Sequence, residues 1–208
     1  NALVSQYQQI YGGALVELDG KQLTIPQLGP YKESLDAKTR RAAYEAEAGY
    51  FDAAAPGAML TAQTAATMPL IGQPMDVLVW PEGGVDSDPL NNLGTSRALD
   101  ELSHQVSAPL LVNAATRRGE NTYNTSLLWP PTGGEVQLFD KANPVPFGEY
   151  VPDRWFYRLF APDLIDLIQR EYTPGTAQPV VDVGGVKVGL AICFDVIYDD
   201  VARDGARG

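Results

Sequence analysis

The 208-residue sequence is poor in the side chains that most often form catalytic and metal sites. It contains one cysteine, Cys193, and one histidine, His104. A single cysteine excludes a disulfide within the chain, and one cysteine with one histidine cannot supply the four ligands of a structural zinc site. A catalytic Cys-His pair would require His104 to lie beside Cys193 in the fold. We therefore expect no metal site.

The sequence also lacks clustered cations and long apolar runs. It has 15 Lys and Arg residues against 26 Asp and Glu residues, which gives a net charge of -11. Nucleic-acid binding relies on clustered Lys and Arg, so this balance argues against a nucleic-acid partner. No uninterrupted apolar run reaches the length of about 18 residues that spans a bilayer. Neither a Gly-x-Gly-x-x-Gly nor a Walker motif is present, so we expect no cofactor.

The apolar residues that are present make up 45% of the chain and follow helical and strand periods in alternation. The turn dipeptide Asp19-Gly20 predicts a β-hairpin in an N-terminal extension, residues 1–30. The other predicted elements belong to one domain, residues 31–208: helices at 34–51, 93–106 and 155–168, the last interrupted at Pro162, a broken helix at 53–74, and strands at 76–80, 110–115, 123–129, 136–139, 180–183 and 186–192. Paired strands that alternate with helices predict an α/β protein with a mixed sheet.

The only cysteine follows an apolar, β-branched run, residues 188–192. This run predicts a strand that is buried on both faces and ends at Cys193. At the carboxyl end of a strand a side chain leaves the packed interior and can face a cleft. Cys193 is therefore either a nucleophile or a small buried hydrophobic residue.

Two further ionisable residues also follow predicted strands. Glu82 comes after residues 76–80, and Lys141 comes after residues 136–139. A cysteine that attacks a carbonyl needs a base for its proton and a cation or donor for the developing oxyanion. Glu, Lys and Cys supply these groups without histidine. Taken singly, the glutamate and the lysine are typical of solvated surface charges, and only their common position at strand ends favours a site.

Three motifs resemble the nitrilase (carbon-nitrogen hydrolase) superfamily, which uses a Glu-Lys-Cys triad. They are Trp80-Pro81-Glu82, Lys141 with the loop Val-Pro-Phe-Gly-Glu-Tyr-Val-Pro at 145–152, and Ile-Cys-Phe-Asp at 192–195. Within the superfamily, the loop is similar to that of apolipoprotein N-acyltransferases, and the resemblance extends over about residues 75–205. The resemblance implies a nitrilase-like α-β-β-α sandwich with mixed sheets, incomplete at its C-terminus.

The resemblance also implies roles for individual residues. Glu82 is the expected general base, Lys141 the oxyanion stabiliser, Cys193 the nucleophile and Glu149 a second catalytic glutamate. The expected substrate-binding or supporting residues are Asn124, Phe147, Phe194 and Asp195. One departure concerns the residues after the cysteine, where the acyltransferases often have Tyr-Glu and this chain has Phe194-Asp195.

The function that the resemblance implies is acyl transfer. An acyl chain passes from a phospholipid to the cysteine as a thioester, and then to the N-terminal amine of a diacylglyceryl-lipoprotein. The implied setting is the extracytoplasmic face of a bacterial membrane, next to a membrane-helix region of the same protein. The aromatic segment 155–160 either contacts lipid or faces the core. Two other functions stay open: a soluble amidase or nitrilase that uses water, and a catalytically idle interaction domain.

Overall fold

The computed structural model describes residues 15–53, 57–131, 133–166 and 168–207. The chain divides into two compact units, residues 1–58 and residues 59–208. The expected boundary at residue 30 stays a prediction, and the first 14 residues of the expected extension lie outside the described ranges.

The described residues of the first unit form the predicted hairpin and two α-helices. Strands β1 (Leu15–Leu18) and β2 (Lys21–Thr24) pair antiparallel. Asp19 and Gly20 both have positive φ, 51° and 74°, which is the backbone of the tight turn that the Asp-Gly dipeptide predicts. Helices α1 (Gly29–Lys32) and α2 (Ala37–Ala53) follow. The unit has a small apolar core of Val16, Leu18, Leu28 and Ala43.

The strands described in the second unit form two sheets. The elements are α3 (Ala58–Thr67), β3 (Leu78–Val79), α4 (Leu93–Val106), β4 (Leu110–Arg118), β5 (Asn121–Trp129), β6 (Gln137–Asp140), α5 (Arg154–Arg158), α6 (Pro162–Asp166), β7 (Val180–Val183), β8 (Val186–Gly189) and α7 (Asp199–Arg207). Strands β3-β4-β5-β6 form one sheet in that order, in which β3 runs parallel to β4 and the other pairs are antiparallel. Strands β7 and β8 form a second, antiparallel pair.

The two faces of the larger sheet have different partners. Helix α4 covers one face through a core cluster whose members include Leu99, Leu102, Leu110, Val112 and Leu127. The opposite face packs on β7 and β8 through a cluster of Leu128, Val181 and Val183, with Leu111 and Val188 partly buried against it. Helix α7 packs on β8. The order of layers is helix, sheet, sheet, helix, which confirms the predicted α-β-β-α sandwich with a mixed sheet.

The strand before Cys193 differs from its prediction. β8 ends at Gly189 and is not buried on both faces, since the side chain of Val186 is exposed. In the described part of the chain β8 pairs only with β7, so its outer edge stays open. Cys193 begins a separate 3-10 helix, Cys193–Ile197, and does not close the strand. The cysteine is exposed, so the interpretation of it as a buried hydrophobic residue is wrong.

The structure also shows whether the aromatic segment 155–160 faces the core. The predicted helix 155–168 forms as two short helices, α5 and α6, and α6 begins at Pro162. None of the five residues of α5 is buried, so the interpretation of this segment as a core-facing helix is wrong. Among the described residues, no helix is both long and apolar enough to cross a membrane.

Candidate active site

Lys141 is the buried centre of the candidate site. It follows the last residue of β6, and its side chain is only 1% exposed. Its Nζ lies 2.8 Å from Oε2 of Glu149 and 3.6 Å from Oε1 of Glu82. Both contacts are ion pairs, and they engage only part of the three N–H groups of the ammonium. The ammonium therefore keeps N–H groups that can turn towards an oxyanion.

The charge of Lys141 is maintained by its neighbours. Burial alone lowers the pKa of a lysine, but the carboxylates of Glu149 and Glu82, together with the thiolate form of Cys193, outweigh it, and the net pKa is raised above 10.5. The lysine is therefore an ammonium at neutral pH.

Asn124 joins the two carboxylates. Its Nδ2 donates to Oε1 of Glu82 at 2.7 Å and to Oε1 of Glu149 at 3.1 Å. Its Oδ1 accepts from Nδ2 of Asn113 at 2.8 Å, and Oδ1 of Asn113 accepts from the N–H of Gly83 at 2.8 Å. These bonds orient both amides and tie Glu82 to the face of the sheet that packs on β7 and β8.

Glu149 is held as a carboxylate. Its Oε2 accepts from the N–H of Val145 at 2.8 Å, within the loop that carries both residues. Burial raises the pKa of Glu149, but the contacts with Lys141, Val145 and Asn124 more than offset it, and the net pKa lies below 4.5. Its carboxylate faces Lys141, so the structure places it next to the ammonium.

Cys193 has an unusual backbone and a protonated thiol. Its φ of 48° lies in the left-handed region, which is rare for a residue with a side chain and is often found at functional turns. Partial burial, the charge of Glu82 and a hydrogen bond to Glu82 raise the pKa of the thiol, whereas Lys141 and the N–H of Phe194 lower it. The net pKa is above the ordinary value of 9.0, so the thiol needs a base.

Asp195 connects the turn at Cys193 to the loop after Lys141. It is fully buried, and its carboxylate accepts from the N–H of Ala142 at 3.2 Å, and from the N–H and Nδ2 of Asn143 at 2.8 and 3.1 Å. The carboxylate is therefore bound to backbone and amide donors beside the site. It links two segments that are far apart in sequence.

The two predicted aromatic residues lie at the edge of this group. Phe147 is half exposed, has a φ of 61° and contacts the ring of Tyr157 edge to face at a centroid distance of 5.0 Å. Phe194 makes an edge-to-face contact with Tyr198 at 5.6 Å. Phe147 therefore links the loop of Glu149 to the exposed aromatic segment 155–160.

A cavity of about 350 Å³ opens beside the thiol. Glu82 and Cys193 lie in its wall, and the other lining residues include Trp80, Leu111, Leu190 and Ile192.

Within the described residues no three His, Cys, Asp or Glu side chains are grouped as metal ligands.

Asn113 and the segment 172–175 also contact the site, and the sequence did not predict either of them. Asn113 lies inside the apolar strand β4, where a polar residue with no motif around it has no local sign of its partner. The signal that the sequence did hold is an amide side chain inside an apolar run, because an amide that is buried in a strand needs hydrogen-bond partners. The segment 172–175 is an irregular stretch that carries the turn dipeptide Pro174-Gly175.

Comparison with known proteins assigns the fold and the family. Residues 30–208 match the family model described as carbon-nitrogen hydrolase. Apolipoprotein N-acyltransferases of Mycolicibacterium smegmatis and Geobacter metallireducens are 36% and 28% identical to this chain over 140 residues. Each match covers 64% of this chain and 23% and 26% of the relative, so the chain spans about a quarter of their length.

A solved structure has the same fold. It is the CN-hydrolase superfamily protein XC1258 from Xanthomonas campestris, with an arsenic adduct in its active site. The TM-score is 0.50 at 19% identity, over 69% of this chain and 49% of that chain.

Proposed function

The chain belongs to the carbon-nitrogen hydrolase family, and we propose that it transfers an acyl chain from a phospholipid to the N-terminal amine of a diacylglyceryl-lipoprotein. The transfer proceeds through a thioester on Cys193. The observation that carries this proposal is the buried Lys141 ammonium, ion-paired with Glu149 and with Glu82, which shares the wall of one cavity with Cys193. The names of the relatives from Mycolicibacterium and Geobacter support transfer to an amine.

In the first half-reaction Glu82 is the base. The raised pKa of the thiol keeps Cys193 protonated at rest, so Glu82 takes the thiol proton as the sulfur attacks the ester carbonyl carbon. The carbonyl oxygen becomes an oxyanion, which the Lys141 ammonium stabilises. The tetrahedral adduct then breaks the ester C–O bond, and the departing oxygen takes the proton back from Glu82. The products are a thioester and a lysophospholipid.

In the second half-reaction the lipoprotein amine replaces the lysophospholipid. Its nitrogen attacks the thioester carbonyl and gives a proton to Glu82, while Lys141 again faces the oxyanion. The C–S bond breaks, and the sulfur recovers the proton from Glu82. An amide and a free thiol result, so no redox partner or cofactor is consumed.

The aromatic segment 155–160 supports a lipid substrate. Trp155, Leu159 and Phe160 are 70%, 72% and 74% exposed, and a contiguous exposed apolar surface indicates a binding surface for protein or lipid. The contact between Phe147 and Tyr157 attaches this surface to the loop that carries Glu149. We propose that the segment faces the extracytoplasmic surface of a bacterial membrane, beside a membrane-helix region of the same protein.

The relevant competitor is hydrolysis, because the family name and the exposure of Cys193 both admit water as the second nucleophile. The test loads the full-length protein with a labelled acyl chain from phospholipid. It then adds buffer, a diacylglyceryl peptide with a free N-terminus, or the same peptide with an acetylated N-terminus. We expect label only in the peptide with a free amine. Rapid loss of label to buffer, with no labelled peptide, would instead assign a hydrolase.

A further inference from the structure

Residues 172–175 are hydrogen bonded to the backbone of both members of the central ion pair. The N–H of Gly175 donates to the carbonyl of Lys141 at 2.8 Å, and the N–H of Tyr172 donates to the carbonyl of Glu149 at 2.9 Å. The 172–175 segment thus joins two residues whose side chains also meet, at 2.8 Å.

The segment is itself anchored to the large sheet. Thr173 donates its N–H to the carbonyl of Thr122 at 2.8 Å, and Tyr172 forms a parallel bridge with Thr122 at the start of β5. Lys141 in turn donates its N–H to the carbonyl of Asn124 in β5, at 2.8 Å. The backbone of Lys141 is therefore held on both sides, by β5 through its N–H and by Gly175 through its carbonyl.

Only glycine fits at position 175 without movement of its neighbours. A Cβ added there would overlap the carbonyl oxygen of Asp140 and lie 2.7 Å from the carbonyl carbon and Cβ of the same residue. The backbone of Gly175 is outside the left-handed region, so the requirement is one of space. The obstructing atoms are backbone and Cβ, which cannot rotate away, and Asp140 immediately precedes Lys141.

We propose that Gly175 is a positioning residue, whose close approach to the peptide between Asp140 and Lys141 sets the location of the Lys141 ammonium relative to the Cys193 thiol. In this proposal a side chain at 175 displaces the peptide between Asp140 and Lys141 and thereby moves the ammonium away from the sulfur. The inference rests on the proposed function in one respect, since it takes Lys141 and Cys193 as parts of one catalytic group.

The test measures the ionisation of the thiol and uses no acyl substrate. The rate of alkylation of Cys193 by iodoacetamide is recorded against pH for the parent, Gly175→Ala, Lys141→Met and the double variant. Cys193 is the only cysteine, so the rate reports one site. The matched control is Gly29→Ala, at a helical glycine where an added Cβ meets nothing within 4 Å.

Lys141 lowers the pKa of the thiol, whereas Glu82 raises it. Moving the ammonium away therefore raises the thiol pKa and reduces the thiolate fraction at a given pH. At pH 7.5 we expect Gly175→Ala to react roughly three- to tenfold more slowly than the parent, and Gly29→Ala to react at the parent rate. In the Lys141→Met background the change at Gly175 should have no further effect.

An unchanged pH profile for Gly175→Ala overturns the proposal, and so does a shift that persists in the Lys141→Met background. If Gly175→Ala does not fold, Pro174→Gly takes its place, since it loosens the same segment at an exposed residue. A parent-like profile for that variant also overturns the proposal. Because no acyl chain is transferred in this experiment, its outcome is independent of whether the protein proves to be a transferase or a hydrolase.

Discussion

Replacement of Glu149 by Gln tests the buried ion pair directly. The carboxylate contacts the Lys141 ammonium and accepts hydrogen bonds from the N–H of Val145 and the amide of Asn124. Glutamine has nearly the same volume but carries no charge and only one acceptor oxygen. At least one donor that hydrogen bonds to the carboxylate in the parent must therefore face the NH₂ group of the glutamine. In addition, Lys141 loses its nearest counter-charge.

The size of the expected loss in the free energy of unfolding follows from the burial of the Lys141–Glu149 pair. The side chains of Lys141 and Glu149 are 1% and 11% exposed, and removal of one partner of a buried pair costs about 3–5 kcal/mol. Glu82 lies 3.6 Å from the same ammonium, so its charge partly replaces that of Glu149. We therefore expect the free energy of unfolding of the second unit to fall by about 2–3 kcal/mol at pH 7.

The assay is urea unfolding followed by tryptophan fluorescence. All three tryptophans, Trp80, Trp129 and Trp155, belong to the second unit, so the signal reports the unit that contains the ion pair. The control is Asp166→Asn, which removes a carboxylate from an exposed pair with Arg158 in the same unit. Exposed pairs contribute about 0–1 kcal/mol, so the control should be close to the parent.

The directions of two pKa shifts determine how the stability lost in Glu149→Gln depends on pH. The pKa of Glu149 is lowered on folding, so its contribution is complete above the ordinary value of 4.5 and disappears as the pH falls through the lowered value. The pKa of Lys141 is raised, so its contribution persists until the pH rises through a value above 10.5. The difference between parent and Glu149→Gln should be constant from pH 6 to 9 and shrink below 4.5. A loss under about 1 kcal/mol at pH 7 would refute the reasoning.

Three further changes test other parts of the site. Cys193→Ala should abolish the acyl adduct that mass spectrometry detects on the parent after incubation with phospholipid, and an equal adduct on the variant places the nucleophile elsewhere. Asp195→Asn puts an amide donor against buried N–H groups, so it should lower the free energy of unfolding by about 1–3 kcal/mol; a change below about 0.5 kcal/mol in urea contradicts the role given to this carboxylate. The double change Trp155→Ser and Phe160→Ser should weaken sedimentation with phosphatidylcholine vesicles on the order of tenfold, whereas Leu35→Ser, at a fully exposed residue of the first unit, should not. Equal binding by the two variants would remove the lipid surface from the proposal.

Local sequence patterns predicted most of the elements. The apolar spacing from Leu93 to Val106 predicts a helix, and α4 has these bounds. The structure adds its cap, since Oδ1 of Asn92 accepts from the N–H groups of Gly94 and Thr95. The hairpin at Asp19-Gly20 and the break at Pro162 are also local effects of φ. The resemblance to the carbon-nitrogen hydrolase family is confirmed by the family match.

Properties that depend on neighbouring layers were less predictable. The run 188–192 has the composition of a buried strand, but the burial of its two faces is decided by the strands and helices around it. In the part of the chain that the structure describes, β8 pairs only with β7, and most of its residues are exposed. The pairing of Asn113 with Asn124 and the contact of Gly175 with Asp140 join residues that are distant in sequence. No period or dipeptide encodes such contacts. The structure places Lys141 against Glu82 and Glu149, and their catalytic roles stay predictions.

The departure at Asp195 has a physical interpretation in this fold. The carboxylate accepts from the N–H groups of Ala142 and Asn143, which follow Lys141, and from the N–H of Ile192, which precedes Cys193. The side chain of aspartate is short, so its carboxylate stays close to its own backbone. In the turn after Cys193 it binds backbone donors that lie nearby in space, and it loses little rotamer freedom in doing so. The turn that carries the nucleophile and the loop that carries the ammonium are thereby joined through one buried side chain. A change of length at 195 should therefore act through the distance between sulfur and Nζ, and its effect on thiol ionisation should disappear once Lys141 is replaced by Met.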